Sequence, residues 1–345
     1  MKRRSFLALL SASIATLPAI LQGQPHMYAK NTKLKTINAN FLGNTIKDGE
    51  FVNLYGESGN KSILDVLKWK LFSSNSQKEA KDEENYMLNV VKDISILKEK
   101  RDYIYWLGHA SFLIQINGKR IITDPCLTAP PMMKRLRPLP LEIKDLNPDY
   151  LLISHGHYDH LDGETIKQFP KCEALIPLKM GKLIKGMNAK IITQEAGWYQ
   201  QYNLNEDFDI TFLPAYHWHK RGLTDLNEVL WGSFSIKTKT KTIYFAGDTG
   251  YSKHFKDIHN TIGDVDISIM PIGAYAPRWF MRQSHIDPHE ALQASKEMHA
   301  KTIIPMHFGT FDLTDEPLGE PERIFGKICT KNEAHFLDIG GKMLL

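Results

Sequence analysis

The chain has 345 residues, 42% of them hydrophobic and 24% charged, enough for one large packed domain with extensions or for two domains. Its net charge of +4 is spread along the sequence without a basic stripe or interleaved aromatics, so no nucleic-acid partner is expected. The three cysteines, Cys126, Cys172 and Cys329, form no CxxC pair and no zinc-ligand spacing; their odd number leaves at least one thiol unpaired or paired between chains, and they read as buried apolar thiols.

Lys2, Arg3 and Arg4 precede Ser5-Phe6-Leu7 and an apolar run to Leu21. The Arg-Arg-x-Phe-Leu order resembles the twin-arginine export signal of bacteria. Residues 1–28 are therefore expected to be an export signal and the protein periplasmic, or membrane-associated there. Ser11, Ser13, Thr16 and Pro18 interrupt the run and argue against a permanent anchor. No later segment is long and apolar enough to span a bilayer.

Residues 29–100 read as an N-terminal extension. Its first half, to about residue 60, is polar and rich in Asn and Gly, and is expected to be irregular. Residues 62–72 place Ile63, Leu64, Leu67, Trp69, Leu71 and Phe72 in an amphipathic helical pattern, suited to membrane contact or packing in a homodimer. Residues 73–85 form a charged connector.

From residue 101 to the end at 345 the texture is that of a catalytic α/β domain. Strands are expected at 103–107, 111–116, 120–123, 149–154, 210–213, 233–237, 242–246, 267–270 and 302–306, with Asn117-Gly118 as a hairpin turn. Helices are expected near 162–169, 178–185 and 287–299, the last opened by Asp287 and Pro288 as N-cap and first residue.

The run His155-Gly-His-Tyr-Asp-His160 carries the chemistry. Four potential ligands follow directly on a strand, and zinc accepts imidazole nitrogen and carboxylate oxygen. A loop leaving a strand can turn alternate residues to one side, with His155 and His157 on one metal and Asp159 and His160 on another. Three further residues each close an apolar run: His217, Asp248 and His307. Taken singly, His217 reads equally as a strand-end residue beside Trp218, and Asp248 as a turn residue. Ligands at successive strand ends converge on one edge of a sheet, so their joint occurrence decides.

This pattern resembles the metallo-β-lactamase superfamily. The resemblance extends to the family of N-acylphosphatidylethanolamine-hydrolysing phospholipases D. It is carried by Trp106-Leu-Gly-His-Ala110, Thr123-Asp-Pro125, Ile153 to Asp162, Pro214-Ala-Tyr-His-Trp218, Lys220-Arg221, Val229 to Ser233 and Phe245 to Tyr251. The last stretches are Pro271-Ile-Gly-Ala-Tyr275, Pro277-Arg-Trp-Phe-Met281, His285-x-Asp-Pro288 and His307-Phe-Gly-Thr-Phe311; the block from Ile272 to Met281 is the narrowest and carries the assignment, and the match covers roughly residues 60–340. Two departures stand out: Gly156 where that family often has Asn, and a short loop at Pro130–Pro138.

The resemblance implies an α/β fold of the four-layer αββα sandwich type and two zinc ions. His155, His157 and His217 would hold one ion, Asp159, His160 and His307 the other, and Asp248 would bridge them. It implies hydrolysis of a phospholipid phosphodiester to phosphatidic acid and an N-acylethanolamine. Asp248 and Asp159 serve the catalytic centre, and His285 is the candidate for assisting the leaving group or for a structural hydrogen bond. Asp124 and Asp162 are expected to orient ligand imidazoles. Tyr158, Trp218, Tyr275, Trp279, Phe280 and Met281 are expected to contact the lipid. Met132, Met133 and Lys134-Arg-Leu-Arg137 are expected to face an anionic membrane. The alternatives are a hydrolase of the same fold acting on another ester, lactone or phosphodiester, and a non-catalytic metal-binding protein on the same scaffold.

Overall fold

The computed structural model describes residues 27–56, 64–65, 68–69 and 74–345. Residues 1–26 of the expected export segment and most of the helix expected over 62–72 lie outside the described residues, whereas Met27 and Tyr28, also expected in that segment, belong to the first strand.

The extension is more ordered than its composition suggests. It forms β1 (Met27–Ala29), β2 (Lys35–Thr36), β3 (Asn44–Lys47) and β4 (Glu50–Phe51). Strands of two to four residues carry no readable alternation; β1, β3 and β4 pair with one another in a small sheet, and β2 pairs with Gln200 and Gln201 of the later chain. Helix α1 (Lys78–Glu83) forms within the charged connector, buries none of its residues, and is tied down by Lys81 to Asp312.

Next comes the meander β5 (Tyr103–Gly108), β6 (Ser111–Ile116) and β7 (Lys119–Thr123). Asn117 and Gly118 have φ of 50° and 76°, the two positive values a type I′ hairpin turn requires. Helices then alternate with strands: α2 (Ile143–Leu146), β8 (Tyr150–Leu152), α3 (Gly163–Gln168), β9 (Glu173–Pro177), α4 (Gly181–Met187) and β10 (Ile192–Ala196). Strands β7 to β10 run parallel.

The second half opens with the antiparallel β11 (Gln200–Gln201), β12 (Asp209–Leu213), β13 (Ser233–Lys237) and β14 (Thr242–Phe245). It continues through α5 (His254–Ile262), β15 (Ile267–Pro271), α6 (Arg278–Met281), α7 (Pro288–Glu297), β16 (Thr302–Met306) and α8 (Glu320–Ile328). Asp287 and Glu290 form the capping box of α7, with Pro288 in its first turn, as the sequence predicts. Strand β17 (Lys342–Leu344) returns to pair antiparallel with β5.

Two seven-stranded sheets result, ordered β10-β9-β8-β7-β6-β5-β17 and β16-β15-β14-β13-β12-β11-β2. The alternation along β5 splits its side chains between two cores. Ile104 and Trp106 face the second sheet with Phe112, Phe212, Phe234 and Phe245. Tyr103, Tyr105 and Leu107 face outward onto a layer containing Leu146, Ile166 and Ile184. Ala291 and Ala294 of α7 cover the far side of the second sheet. Helix, sheet, sheet and helix make four layers, the expected αββα sandwich. Each large apolar side chain buried between them contributes about 1.5–3 kcal/mol.

Strand direction places the site. Strands β12 and β14 both run antiparallel to β13, and β15 and β16 run parallel to β14. The residues that follow β12, β14 and β16 therefore leave from one edge of that sheet. The facing edge of the first sheet supplies the loop after β8.

Candidate metal centre

That loop delivers His155, His157, Asp159 and His160. His217 follows β12, Asp248 follows β14 and His307 follows β16. The structure brings all seven together. Nε2 of His155 lies 2.9 Å from Nδ1 of His157, which lies 3.2 Å from Nε2 of His217. In a second group, Nε2 of His160 lies 3.2 Å from Nε2 of His307, and each of the two is 3.6 Å from Oδ2 of Asp159. Asp248 stands between the groups: its oxygens are 3.1 Å from His160, 3.0 Å from His307 and 3.9 Å from His155.

The outer nitrogens are fixed by acceptors. Nδ1 of His160 faces the Asp124 carboxylate at 2.7 Å, and Nδ1 of His217 faces the carbonyl of Ser284 at 3.0 Å. Ser154 Oγ donates to Asp124 at 2.6 Å, so it accepts from Nδ1 of His155 at 2.9 Å. Each of these rings thus carries its outer proton on Nδ1 and aims the other nitrogen inward. Asp124 fulfils its expected orienting role. Asp162 does not: its carboxylate caps α3, accepting from the N–H groups of Glu164 and Thr165, because it stands at the first turn of that helix. The extension also contributes, since Asn53 Nδ2 donates to the carbonyl of His217 at 2.8 Å.

Burial disfavours a charge on the imidazoles. It pushes His155 and His217 well down and His157 to about 4, so these three are neutral donors at neutral pH. Burial opposes charge on His160 and His307 too, but Asp248 and Asp159 outweigh it, raising His160 well up and His307 to about 9. Burial alone would raise Asp159 and Asp248, yet the surrounding imidazoles hold both well below the usual carboxylate range.

This donor set fits a divalent metal. The inward nitrogens of His155 and His217 both present lone pairs to the same nitrogen of His157, and one proton on that nitrogen satisfies only one of them. A cation satisfies all three at once, and imidazole nitrogen with carboxylate oxygen is the donor chemistry of such ions.

The family model of the β-lactamase superfamily domain matches residues 119–308. The chain is 32% identical over 293 residues to N-acyl-phosphatidylethanolamine-hydrolyzing phospholipase D 1 of Caenorhabditis elegans, covering 79% of this chain and 81% of that protein. The chain belongs to the metallo-β-lactamase superfamily, in the family of N-acylphosphatidylethanolamine-hydrolysing phospholipases D. It is also 33% identical to the mitochondrial enzyme of that name in Saccharomyces cerevisiae, over 64% of this chain and 50% of the yeast protein. A solved metallo hydrolase from the archaeon Ignicoccus hospitalis shares the fold, with a TM-score of 0.54 and 20% identity over 71% of this chain and 98% of that one. The chain is thus a metal-dependent hydrolase of the metallo-β-lactamase superfamily.

Beside the ligands of this superfamily site lies a cleft of about 320 Å³ lined by Trp69, Met133, Tyr158, Trp218, Phe280 and Met281, with His157, Asp159, His217 and His285 at its polar end. Tyr158, Trp218, Phe280 and Met281, expected to contact substrate, line this cleft. Tyr275 does not line the cleft; its hydroxyl is drawn away to Glu320 at 2.6 Å. Trp279 also stays outside: it lies beside Phe280 on the short helix α6 and is half-exposed under Lys68. Arg135, expected to face a membrane, is turned inward, its guanidinium spent on the carbonyls of Leu107, Cys126 and Arg137. His285 lies 3.7 Å from Asp248, and burial pushes it down to about 4.

Two residues of this site are not expected in it from the sequence: His109, which has no role in the sequence reading, and Trp69, which the sequence places only in an amphipathic helical pattern. His109, inside the Trp106–Ala110 motif, sits in the β5–β6 turn with Nε2 3.2 Å from Asp159 and its ring centroid 3.9 Å from that of His307. The motif was the signal for it. Trp69 packs on Phe280 with centroids 4.8 Å apart and donates to Asp315. Its helical pattern could not reveal a partner more than two hundred residues away.

Proposed function

We propose that the protein is a zinc-dependent phospholipase D-type phosphodiesterase that hydrolyses N-acylphosphatidylethanolamine to phosphatidic acid and an N-acylethanolamine. The observation that carries this reading is an aromatic and methionine-lined cleft that opens onto the two groups of metal-ligating side chains. The names of the worm and yeast relatives support the choice of lipid.

His155, His157 and His217 would hold one zinc ion, Asp159, His160 and His307 a second, with Asp248 shared. Bound there, zinc supplies Lewis acidity that neutralises phosphoryl charge and lowers the pKa of water toward neutrality. The chain itself does the positioning. Asp124 and the Ser284 carbonyl fix the ring orientations of His160 and His217. His285 lines the cleft, its Nδ1 without a hydrogen-bond partner and 3.7 Å from Asp248, and it would contact the leaving oxygen. Trp69, Trp218, Phe280 and Met281 keep water from the apolar part of the substrate. Water oxygen bonds to phosphorus, the bond to the ethanolamine oxygen breaks, and that oxygen leaves with a proton as the alcohol.

Exposed Met132 and Trp279 each adjoin a cleft residue, which supports peripheral contact with a phospholipid surface. The Arg3-Arg4 segment supports export to the periplasm. Activity on N-acylphosphatidylethanolamine, a lactone and a water-soluble phosphodiester, compared under zinc, tests the proposal. Preference for the lipid is expected; preference for the lactone or the soluble diester favours another hydrolase of this fold.

A further inference from the structure

We propose that His259, Asp264 and His299 form a separate surface site for a divalent ion of the zinc or copper type. Nε2 of His259 and Nδ1 of His299 both point at Oδ1 of Asp264, each at 2.9 Å, and the two ring centroids are 4.2 Å apart. One atom from each residue lies within 4.8 Å of the others. Two imidazoles and one carboxylate are a donor set for borderline divalent ions.

The backbone holds these side chains in place. His259 is in the last turn of α5, and Gly263 N donates to its carbonyl at 2.8 Å. His299 follows the C-cap of α7, Met298, whose carbonyl accepts from Val265 N at 3.2 Å. Asp264 is thereby clamped between two helix C-termini. The C-terminal ends of the two helix dipoles add negative potential at this place, which favours a bound cation. Asp264 and His299 side chains are 67% and 61% exposed, leaving the ion's remaining positions to water.

The place is distinct from the catalytic centre. Asp264 precedes β15 and His299 precedes β16, whereas the centre's ligands follow the C-terminal ends of their strands. Five strand residues separate the two edges, about 17 Å at ~3.3 Å per residue.

Equilibrium dialysis of the full chain against micromolar zinc, followed by metal analysis, tests the site. His299→Ala and Asp264→Asn alter exposed side chains and leave the core intact. The full chain is expected to hold one equivalent more than either variant, and the difference to persist in a His157→Ala background. Equal zinc content in all three proteins overturns the proposal. So does a difference that disappears in the His157→Ala background, since the ion would then belong to the catalytic centre.

Discussion

The backbone N–H of Gly156 donates to Nδ1 of His219 at 3.2 Å, and a Cβ at position 156 would stand 2.1 Å from that ring's Cε1. This packing accounts for glycine at position 156: His219 fills the space a side chain would need. Gly156→Asn should destabilise the fold by about 1–3 kcal/mol through overpacking between two ligands. Adding His219→Ala should recover at least half of the loss, read as a non-additive double-mutant cycle in urea unfolding. Strict additivity would show that the two positions are uncoupled.

Asp248→Asn and His157→Ala should each reduce kcat by about 100-fold or more while the far-ultraviolet circular dichroism stays unchanged. Full activity in either variant is incompatible with the seven-residue centre.

Asp124 accepts from Ser154 N, Ser154 Oγ and His160 Nδ1. Asp124→Asn replaces one accepting oxygen with a donor and should weaken metal affinity about 10–100-fold. Titration against a chelator of known affinity reads this directly. Unchanged affinity would mean that His160 is oriented by its neighbours alone.

Trp218 and Phe280 line the cleft without being ligands. Trp218→Ala and Phe280→Ala should raise KM for a long-chain phospholipid and leave turnover of a soluble phosphodiester within about twofold, since each removes apolar contact of roughly 1.5–3 kcal/mol. Equal losses on both substrates would place these rings in support of the metals instead.

His254 is buried and held down to about 3 by that burial alone. Below its ordinary value of 6.5 the unfolded chain takes up a proton that the folded chain refuses, so stability falls as pH drops from 6.5 toward 3. The slope from this one group is about 1.4 kcal/mol per pH unit. His254→Gln should therefore gain about 2 kcal/mol on the wild type between pH 6.5 and pH 5, and nothing between pH 7 and pH 8, in urea unfolding.

The seven candidate ligands were legible in the sequence because His155 to His160 follow directly on one apolar strand while His217, Asp248 and His307 each follow another, and strand ends share an edge of the sheet. The meander was legible from Asn117-Gly118, and α7 from Asp287-Pro288. What escaped was decided across long separations. Strand β2 exists because it pairs with Gln200 and Gln201, not because Lys35-Thr36 favours extension. Tyr275 and Arg135 look like a substrate contact and a membrane contact in sequence. Their hydrogen bonds to Glu320 and to three carbonyls show that each is used within the fold. Nothing local in the sequence reports such partners.

Zinc-loaded protein incubated with N-acylphosphatidylethanolamine in ¹⁸O-water, followed by lipid mass spectrometry, tests the central claim most directly. Equal amounts of ¹⁸O-labelled phosphatidic acid and unlabelled N-acylethanolamine are expected, and neither from the Asp248→Asn variant. Diacylglycerol with a phosphorylated N-acylethanolamine, or an intact lipid beside an active soluble-ester hydrolase, would contradict it.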